Sequence, residues 1–178
     1  MKKGSNRQSY NLEKANFQYY VEGEDEKKLL NVLKRDMHCI ESGKVDKFNV
    51  IQNRFTITRI RTLKQNTSVI LVYDTDIEKT DILQDNLDFL EKQTVVKDVI
   101  CIPQVKNLED ELVRSCQIKK IEELTHSGSK KDYKHDLICC TNLKDRLEKC
   151  GFDISKFWCC IPQNSFQVYG NQADKIRL

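Results

Sequence analysis

The feature that most constrains the fold is an uninterrupted apolar run, Val69-Ile70-Leu71-Val72-Tyr73, which ends abruptly in Asp74-Thr75-Asp76. Such a run is too short for a stable helix, and a strand that is apolar at every position must be buried on both faces. Strands of this kind lie at the centre of parallel sheets whose two faces are covered by helices. The run therefore predicts a central parallel strand with an acidic end.

The rest of the chain alternates between strand patterns and helical patterns. Further strands are expected at 17–21, 47–51 and 99–102, because these segments are short and rich in apolar residues. Between them, apolar residues recur at helical spacing over 24–40, 55–63, 82–90 and 108–116. The alternation predicts a compact α/β fold with a mainly parallel four-stranded sheet flanked by helices.

The length of 178 residues is sufficient for one ordinary domain. We expect residues 1–15 to form a flexible polar arm, 16–162 a single α/β domain, and 163–178 a loose C-terminal tail. Beyond residue 117 the pattern weakens and predicts a helical or irregular extension. One or two helices are expected around Leu137, Leu143 and Leu147, ending at Gly151, and a last strand at Phe157–Ile161.

The hydropathy of the chain argues against a membrane-spanning protein and against a protein with a signal peptide. No apolar run is long enough to span a membrane, and the polar N-terminus lacks the apolar stretch of a signal peptide. A cytosolic location follows as the default expectation. The net charge of +3 neither demands nor excludes a polyanionic partner, so any basic surface must come from local clustering.

The eight cysteines do not resemble a disulfide framework. Cys139-Cys140 and Cys159-Cys160 are adjacent pairs, whereas zinc sites usually need two intervening residues. We expect reduced thiols that pack as small apolar side chains. The alternative is a Cys/His metal site that includes His126 or His135.

Three carboxylates are expected at one rim of the sheet. Glu22 follows the first strand directly, as Asp74 and Asp76 follow the strand at 69–73. If the two strands are neighbours, the acids meet where ligands bind in open parallel sheets, and a cation is needed to offset their repulsion. Mg²⁺ prefers such hard oxygen ligands, and Gly23 lets a phosphate or backbone approach closely. The alternative is that these carboxylates cap helices or line turns.

The ordered pair of motifs resembles the Toprim domain. Tyr20-Val21-Glu22-Gly23 followed by Val72-Tyr73-Asp74-Thr75-Asp76 is similar to that family's Glu-Gly and Asp-x-Asp strand ends, within residues 16–116. The family includes topoisomerases, bacterial primases, OLD-type nucleases and small stand-alone nucleases. The resemblance implies that Glu22 is a general acid/base or a metal ligand and that Asp74 and Asp76 hold Mg²⁺. Glu78 occupies the position of a third acidic residue in some members, or is a solvated side chain at the start of a helix.

A second similarity is to RloB-type Toprim proteins of restriction and defence loci. It extends over residues 102–112 and the basic segment 130–134, although Leu108 replaces the aromatic residue of that group. Glu109 is the best candidate for a further acidic ligand. Alternatively, Glu109, Asp110 and Glu111 only complement the N-terminus of their helix.

Basic residues that suit phosphate groups form two clusters. The candidate nucleic-acid contacts are Arg54, Arg59, Arg61, Lys64, Lys130, Lys131 and Lys134. The resulting hypothesis is a Mg²⁺- or Mn²⁺-dependent nuclease acting on DNA or RNA. The alternative is a non-catalytic Toprim-like module that binds nucleic acid, a nucleotide or a partner protein. For the enzyme and for the binding module alike, the resemblance to defence proteins implies an ATPase or another protein as a partner.

Overall fold

The computed structural model describes residues 16–178; the arm expected at 1–15 lies outside the described residues. Four parallel strands form one sheet in the order β2-β1-β3-β4. The strands are β1 (Asn16–Val21), β2 (Lys44–Lys47), β3 (Thr67–Asp74) and β4 (Val96–Gln104). The prediction of a four-stranded parallel α/β sheet with a central strand at 69–73 is confirmed.

Helices cover both faces of the sheet. They are α1 (Glu24–Arg35), α2 (Ile57–Ile60), α3 (Asp81–Glu91), α4 (Leu108–Ser115), α5 (Glu122–Thr125), α6 (Lys130–Cys139) and α7 (Leu143–Lys149). Alternate residues of β3 point to opposite faces: Ile70 and Val72 pack in the cluster that includes α1 and α4–α7, and Val69, Leu71 and Tyr73 in the one that includes α2 and α3. β3 is therefore buried on both sides.

Two predicted elements differ from the structure in their bounds. The strand expected at 47–51 shares only Lys47 with β2, which begins at Lys44. Beyond Lys47 the Asn49 side chain accepts hydrogen bonds from the backbone N–H groups of Ile51 and Gln52 and forms a turn. The helix expected at 55–63 is limited to α2. Phe55 N–H instead donates to the buried Asn86 side chain of α3 at 2.7 Å.

The strand expected at Phe157–Ile161 is wrong. Trp158 adopts a left-handed backbone with φ of 56°, which interrupts an extended segment. The Asn171 side-chain amide donates to the carbonyls of Trp158 and Cys160, both at 2.9 Å. Backbone groups that would pair with a neighbouring strand are bonded to this side chain instead.

Residues 163–178 are packed, not loose as expected. Two short 3₁₀ helices, Ser165–Tyr169 and Ala173–Lys175, bury Phe166 and Ala173. Gln172 exchanges hydrogen bonds with the backbone of Cys101 at the outer edge of β4. The segment thus covers part of an edge strand that would otherwise be open to pairing.

The helices in the described part of the chain lack the combination of length and apolar character needed to cross a bilayer. All eight cysteines lie in this part and are free thiols. Cys139 Sγ lies 3.6 Å from His135 Nε2.

Candidate metal centre

β1 and β3 are neighbours, so the predicted acids leave the sheet at the same edge. Glu22 follows β1, Asp74 ends β3, and the backbone N–H of Asp74 lies 3.4 Å from Glu22 Oε1. Asp76 is exposed two residues further on. The condition on which the sequence argument depended, adjacency of the two strands, is therefore met.

The Asp-x-Asp segment is held in place by its middle residue. Thr75 is buried; its hydroxyl donates to Gln104 O at 2.9 Å and accepts from Lys106 N–H at 3.0 Å. Thr75 N–H also donates to Lys106 O at 2.9 Å. These bonds join the ends of β3 and β4 and fix the backbone on both sides of Thr75.

A buried amide orients Asp74. Gln104, fully buried at the end of β4, donates from Nε2 to Asp74 Oδ1 at 2.7 Å. Its Oε1 faces Trp158 Nε1 at 3.4 Å. Sequence reasoning missed Gln104, although a polar residue closing an apolar strand beside the Asp-x-Asp strand is the signal that could have identified it.

The first turn of α1 adds two carboxylates, Asp25 and Glu26, that the strand-end motifs did not identify. Asp25 and Glu26 are 4% and 3% exposed. Glu26 Oε2 accepts the Gly23 N–H at 2.8 Å, which caps the helix. Asp25 Oδ2 is buried and accepts no hydrogen bond from residues 16–178, although Lys134 Nζ lies 3.5 Å away.

Glu109 belongs to the same cluster. It is 8% exposed in the first turn of α4, and its Oε1 lies 3.4 Å from Lys134 Nζ. The helix is capped instead by Asn107, whose side chain accepts the Asp110 N–H. Glu109 thus lies at the acidic rim, as one of the two alternatives from the sequence expected. Glu111 is buried elsewhere, where it accepts hydrogen bonds from the backbone of Val105 and Trp158.

Burial and mutual repulsion raise the pKa values of these acids. Burial, then the Glu22 charge, raises the pKa of Asp74 to about 8, against the opposing Gln104 hydrogen bond. Burial and the Asp25 charge raise the pKa of Glu26 to about 9. The pKa of Glu22 is raised by burial, despite the hydrogen bond from Asp74. Negative charge is thus unfavourable here without an added cation.

The predicted basic residues are scattered. Lys134, from α6, lies at the acidic rim, while Lys130 and Lys131 are exposed in the first turn of that helix. Arg54 pairs with Asp85 of α3 at 2.6 Å, and Arg59 lies over the Phe48 ring. Arg61 is exposed; Lys64 lines a cavity with Asn16 and Thr67, at the opposite edge of the sheet.

The carboxylate oxygens are chemically suited to a hard divalent cation, but their present positions do not form a complete coordination shell. Within residues 16–178, no three His, Cys, Asp or Glu side chains already surround a point where a metal ion could bind. The buried oxygen Asp25 Oδ2 and the clustered carboxylates are nevertheless the ligands that Mg²⁺ and Mn²⁺ prefer. Glu78 is exposed in the loop after β3.

Metal-free protein should lose stability as the pH rises. The folded state holds protons on Asp74 and Glu26 that the unfolded chain releases near its usual carboxyl pKa values. Their contribution to the free energy of unfolding is therefore full below about pH 4, and it declines as the pH rises to about 9. We expect the melting temperature in EDTA to fall between about pH 6 and 9, and saturating Mg²⁺ to reduce the fall. An unchanged melting temperature over this range would contradict the assigned repulsion.

Gly23 is required by space, since its φ of −127° suits any residue. A Cβ there would lie 2.4 Å from Asp25 Oδ1 and 2.8 Å from Glu26 Oε2. Gly23→Ala should therefore displace both carboxylates and weaken Mn²⁺ binding about 10-fold, measured by titration calorimetry. Gly128→Ala is the matched control, because its nearest neighbour is 4.0 Å away. Equal Mn²⁺ affinity in the two variants would contradict this role.

Comparison of the chain with protein-family models, curated proteins and solved structures finds no match.

Proposed function

We propose that this chain is a Mg²⁺-dependent phosphoryl-transfer enzyme, most simply a Toprim-type nuclease. The observation that carries the proposal is the convergence of Glu22, Asp74 and Glu109 with two buried acids of α1 at the carboxyl edge of a parallel sheet. Only one cation of residues 16–178, Lys134, forms ion pairs with this group. The Toprim resemblance of the Glu-Gly and Asp-x-Asp motifs supports the same proposal.

Each side chain has a role that its surroundings suit. Asp74, oriented by Gln104, and the exposed Asp76 would hold the metal together with Glu22, and Glu109 is the candidate for a further ligand. Bound Mg²⁺ would polarise a phosphate and lower the pKa of a water. Glu22, whose pKa is raised by burial, lies beside Asp74 and is suited to moving a proton.

The substrate would approach from the solvent side of the rim. Asp76, Lys130 and Lys131 are exposed, and Lys134 offers its ammonium group from α6. These lysines would contact the phosphate backbone of DNA or RNA. Arg54, already paired with Asp85, and Lys64, at the far edge, are poorer candidates for that contact. A place in a defence system beside an ATPase belongs to the proposal through the resemblance alone.

One observation favours a non-catalytic binding module as the second candidate. Lys134 already forms ion pairs with Asp25 and Glu109, which partly offsets the negative charge without a metal. Such a module would use the rim to bind a nucleotide, nucleic acid or a partner protein.

Cleavage assays on end-labelled single-stranded DNA, duplex DNA and RNA test the proposal. With Mg²⁺ or Mn²⁺ we expect cleavage by the unaltered protein and a loss of at least about 100-fold in Glu22→Gln. Glu24→Gln is the matched control, because Glu24 is exposed and pairs with Lys27 and Lys47. Absence of cleavage on every substrate with both metals would overturn the enzyme proposal; Mn²⁺ binding without cleavage would favour the second candidate.

A further inference from the structure

Two adjacent thiols lie close together outside the acidic rim. The Sγ atoms of Cys159 and Cys160 are 3.7 Å apart, and Cys159 is exposed. Cys159 also lines an open cleft of about 310 Å³ with Asn171, Asp174 and Arg177. A small molecule can therefore reach Cys159, whose partner Cys160 lies directly behind it in the chain.

The backbone around the pair belongs to no regular element. Residues 159–162 form neither helix nor strand, and Trp158, just before them, has a φ of 56°. One side chain spans the segment, because Asn171 Nδ2 donates to the carbonyls of Trp158 and Cys160, both at 2.9 Å. These carbonyls belong to the peptides on either side of the Cys159–Cys160 peptide, so a rotation of that central peptide would disturb both hydrogen bonds.

Trp158 connects the thiol pair with the acidic rim. It is 1% exposed, and its backbone N–H donates to Glu111 Oε2 at 3.0 Å. Its indole Nε1 lies 3.4 Å from Gln104 Oε1, and the Nε2 of the same amide donates to Asp74 Oδ1 at 2.7 Å. A displacement of Trp158 can therefore reach Asp74 through two successive contacts, Trp158 to Gln104 and Gln104 to Asp74.

We propose that Cys159 and Cys160 form a reversible oxidation site, which closes into a disulfide between adjacent residues and displaces Trp158. A small-molecule disulfide such as oxidised glutathione is the oxidant. The Cys159 thiolate attacks one of its sulfur atoms, forms a mixed disulfide and releases one glutathione thiolate. The Cys160 thiolate then attacks Cys159 Sγ and releases the second, so two protein thiols are oxidised and one disulfide is reduced to two thiols.

Geometry makes the closed form readily reversible. Adjacent Cα atoms across a trans peptide are about 3.8 Å apart, shorter than the range of about 4.4 to 6.8 Å usual for disulfides. A bond between neighbours is therefore strained, and strained disulfides are the ones that reducing agents open most easily. The pair suits a switch rather than a structural crosslink.

The effect on the rim rests on the proposed function, whereas the oxidation itself does not. Closing the ring brings the sulfur atoms together from 3.7 Å and rotates the Cys159–Cys160 peptide, which lies between the two carbonyls that Asn171 holds. Trp158 moves with it, and Gln104 then orients Asp74 less well. The oxidised protein should gain less thermal stability from Mn²⁺ than the reduced protein.

Peptide mass spectrometry and tryptophan fluorescence test the site without any substrate. Trp158 is the one tryptophan of the chain, so its emission reports on this segment directly. After treatment with oxidised glutathione we expect the peptide containing both cysteines to lose two hydrogen atoms, with quenching of Trp158 emission. A dithiol reductant should reverse both changes. Cys139→Ser, which alters the other adjacent pair, should behave like the unaltered protein, and Cys159→Ser should not form the bond.

Three results would overturn the proposal: glutathione remaining attached to Cys159, a disulfide from this pair to another cysteine, or unchanged Trp158 emission after oxidation.

Melting curves with Mn²⁺ keep the two proposals distinguishable. A smaller Mn²⁺ shift in the oxidised protein supports the connection to Asp74, and an equal shift contradicts it. If neither form responds to Mn²⁺, the metal proposal fails and the connection fails with it, while the mass and fluorescence results still decide the oxidation site.

Discussion

Asp74→Asn is expected to weaken Mn²⁺ binding by about two orders of magnitude or more and yet to raise the stability of the metal-free protein. The amide removes a carboxylate whose charge is opposed by burial and by Glu22, Asp76 and Glu109. It can still accept the hydrogen bond from Gln104. Solvent screens the charge of Asp74 in part, because the side chain is only half-buried. We therefore expect the free energy of unfolding to rise by about 2 kcal/mol near pH 8, which corresponds to about 4–8 °C in melting temperature.

Thermal melts with and without Mn²⁺ measure both effects in one experiment. Asp98→Asn is the matched control, since Asp98 is exposed near the start of β4, away from the carboxyl edge. It should leave the Mn²⁺ response and the metal-free melting temperature nearly unchanged. A Mn²⁺ response retained by Asp74→Asn would show that the acid is not a ligand, and a lower metal-free melting temperature would contradict the repulsion.

Glu111→Ala should be the most destabilising of the substitutions considered. Glu111 is fully buried; its Oε1 accepts from Val105 N–H at 2.8 Å, its Oε2 accepts from Trp158 N–H, and it pairs with Arg114. Removal leaves two buried backbone N–H groups without their acceptor and Arg114 without its carboxylate partner, which costs about 3–5 kcal/mol. We expect the melting temperature to fall by about 10 °C.

Asp110→Ala is the control for Glu111, because Asp110 precedes it in the same helical turn but pairs with exposed Lys106 at 3.8 Å. The control should cost less than about 1 kcal/mol. Urea unfolding of both variants separates the two cases. Similar midpoints for Glu111→Ala and Asp110→Ala would mean that the buried carboxylate does not hold the Trp158 segment.

β1, β3 and β4 were predictable because they carry a strong local signal, whereas β2 begins three residues before the segment expected at 47–51. β3 is apolar at successive positions, which is incompatible with a solvated face, and Glu22 and Asp74 follow from where the strands end. The segment at Phe157–Ile161 carries an equally apolar signal, but its backbone groups bond to Asn171 and Arg177. Those partners are distant in sequence, so local pattern could not reveal them.

The candidate site was only partly predictable for the same reason. Asp25 and Glu26 have the sequence of an ordinary helix N-terminus, and burial against the rim is a tertiary property. Gln104 acquires its role from the register of β4 beside β3, which aligns it with Asp74. Lys134 was expected to meet phosphate, whereas its contacts here are the carboxylates of Asp25 and Glu109.

The position of Mn²⁺ in a soaked crystal tests the central claim most directly. Anomalous scattering identifies the ion independently of any substrate. We predict one peak within about 2.3 Å of carboxylate oxygens of Asp74 and Glu22, with Asp76 or Glu109 completing the ligands. A peak held by other residues, or none at the carboxyl edge of β1 and β3 at saturating Mn²⁺, would contradict the claim that these acids form a metal centre.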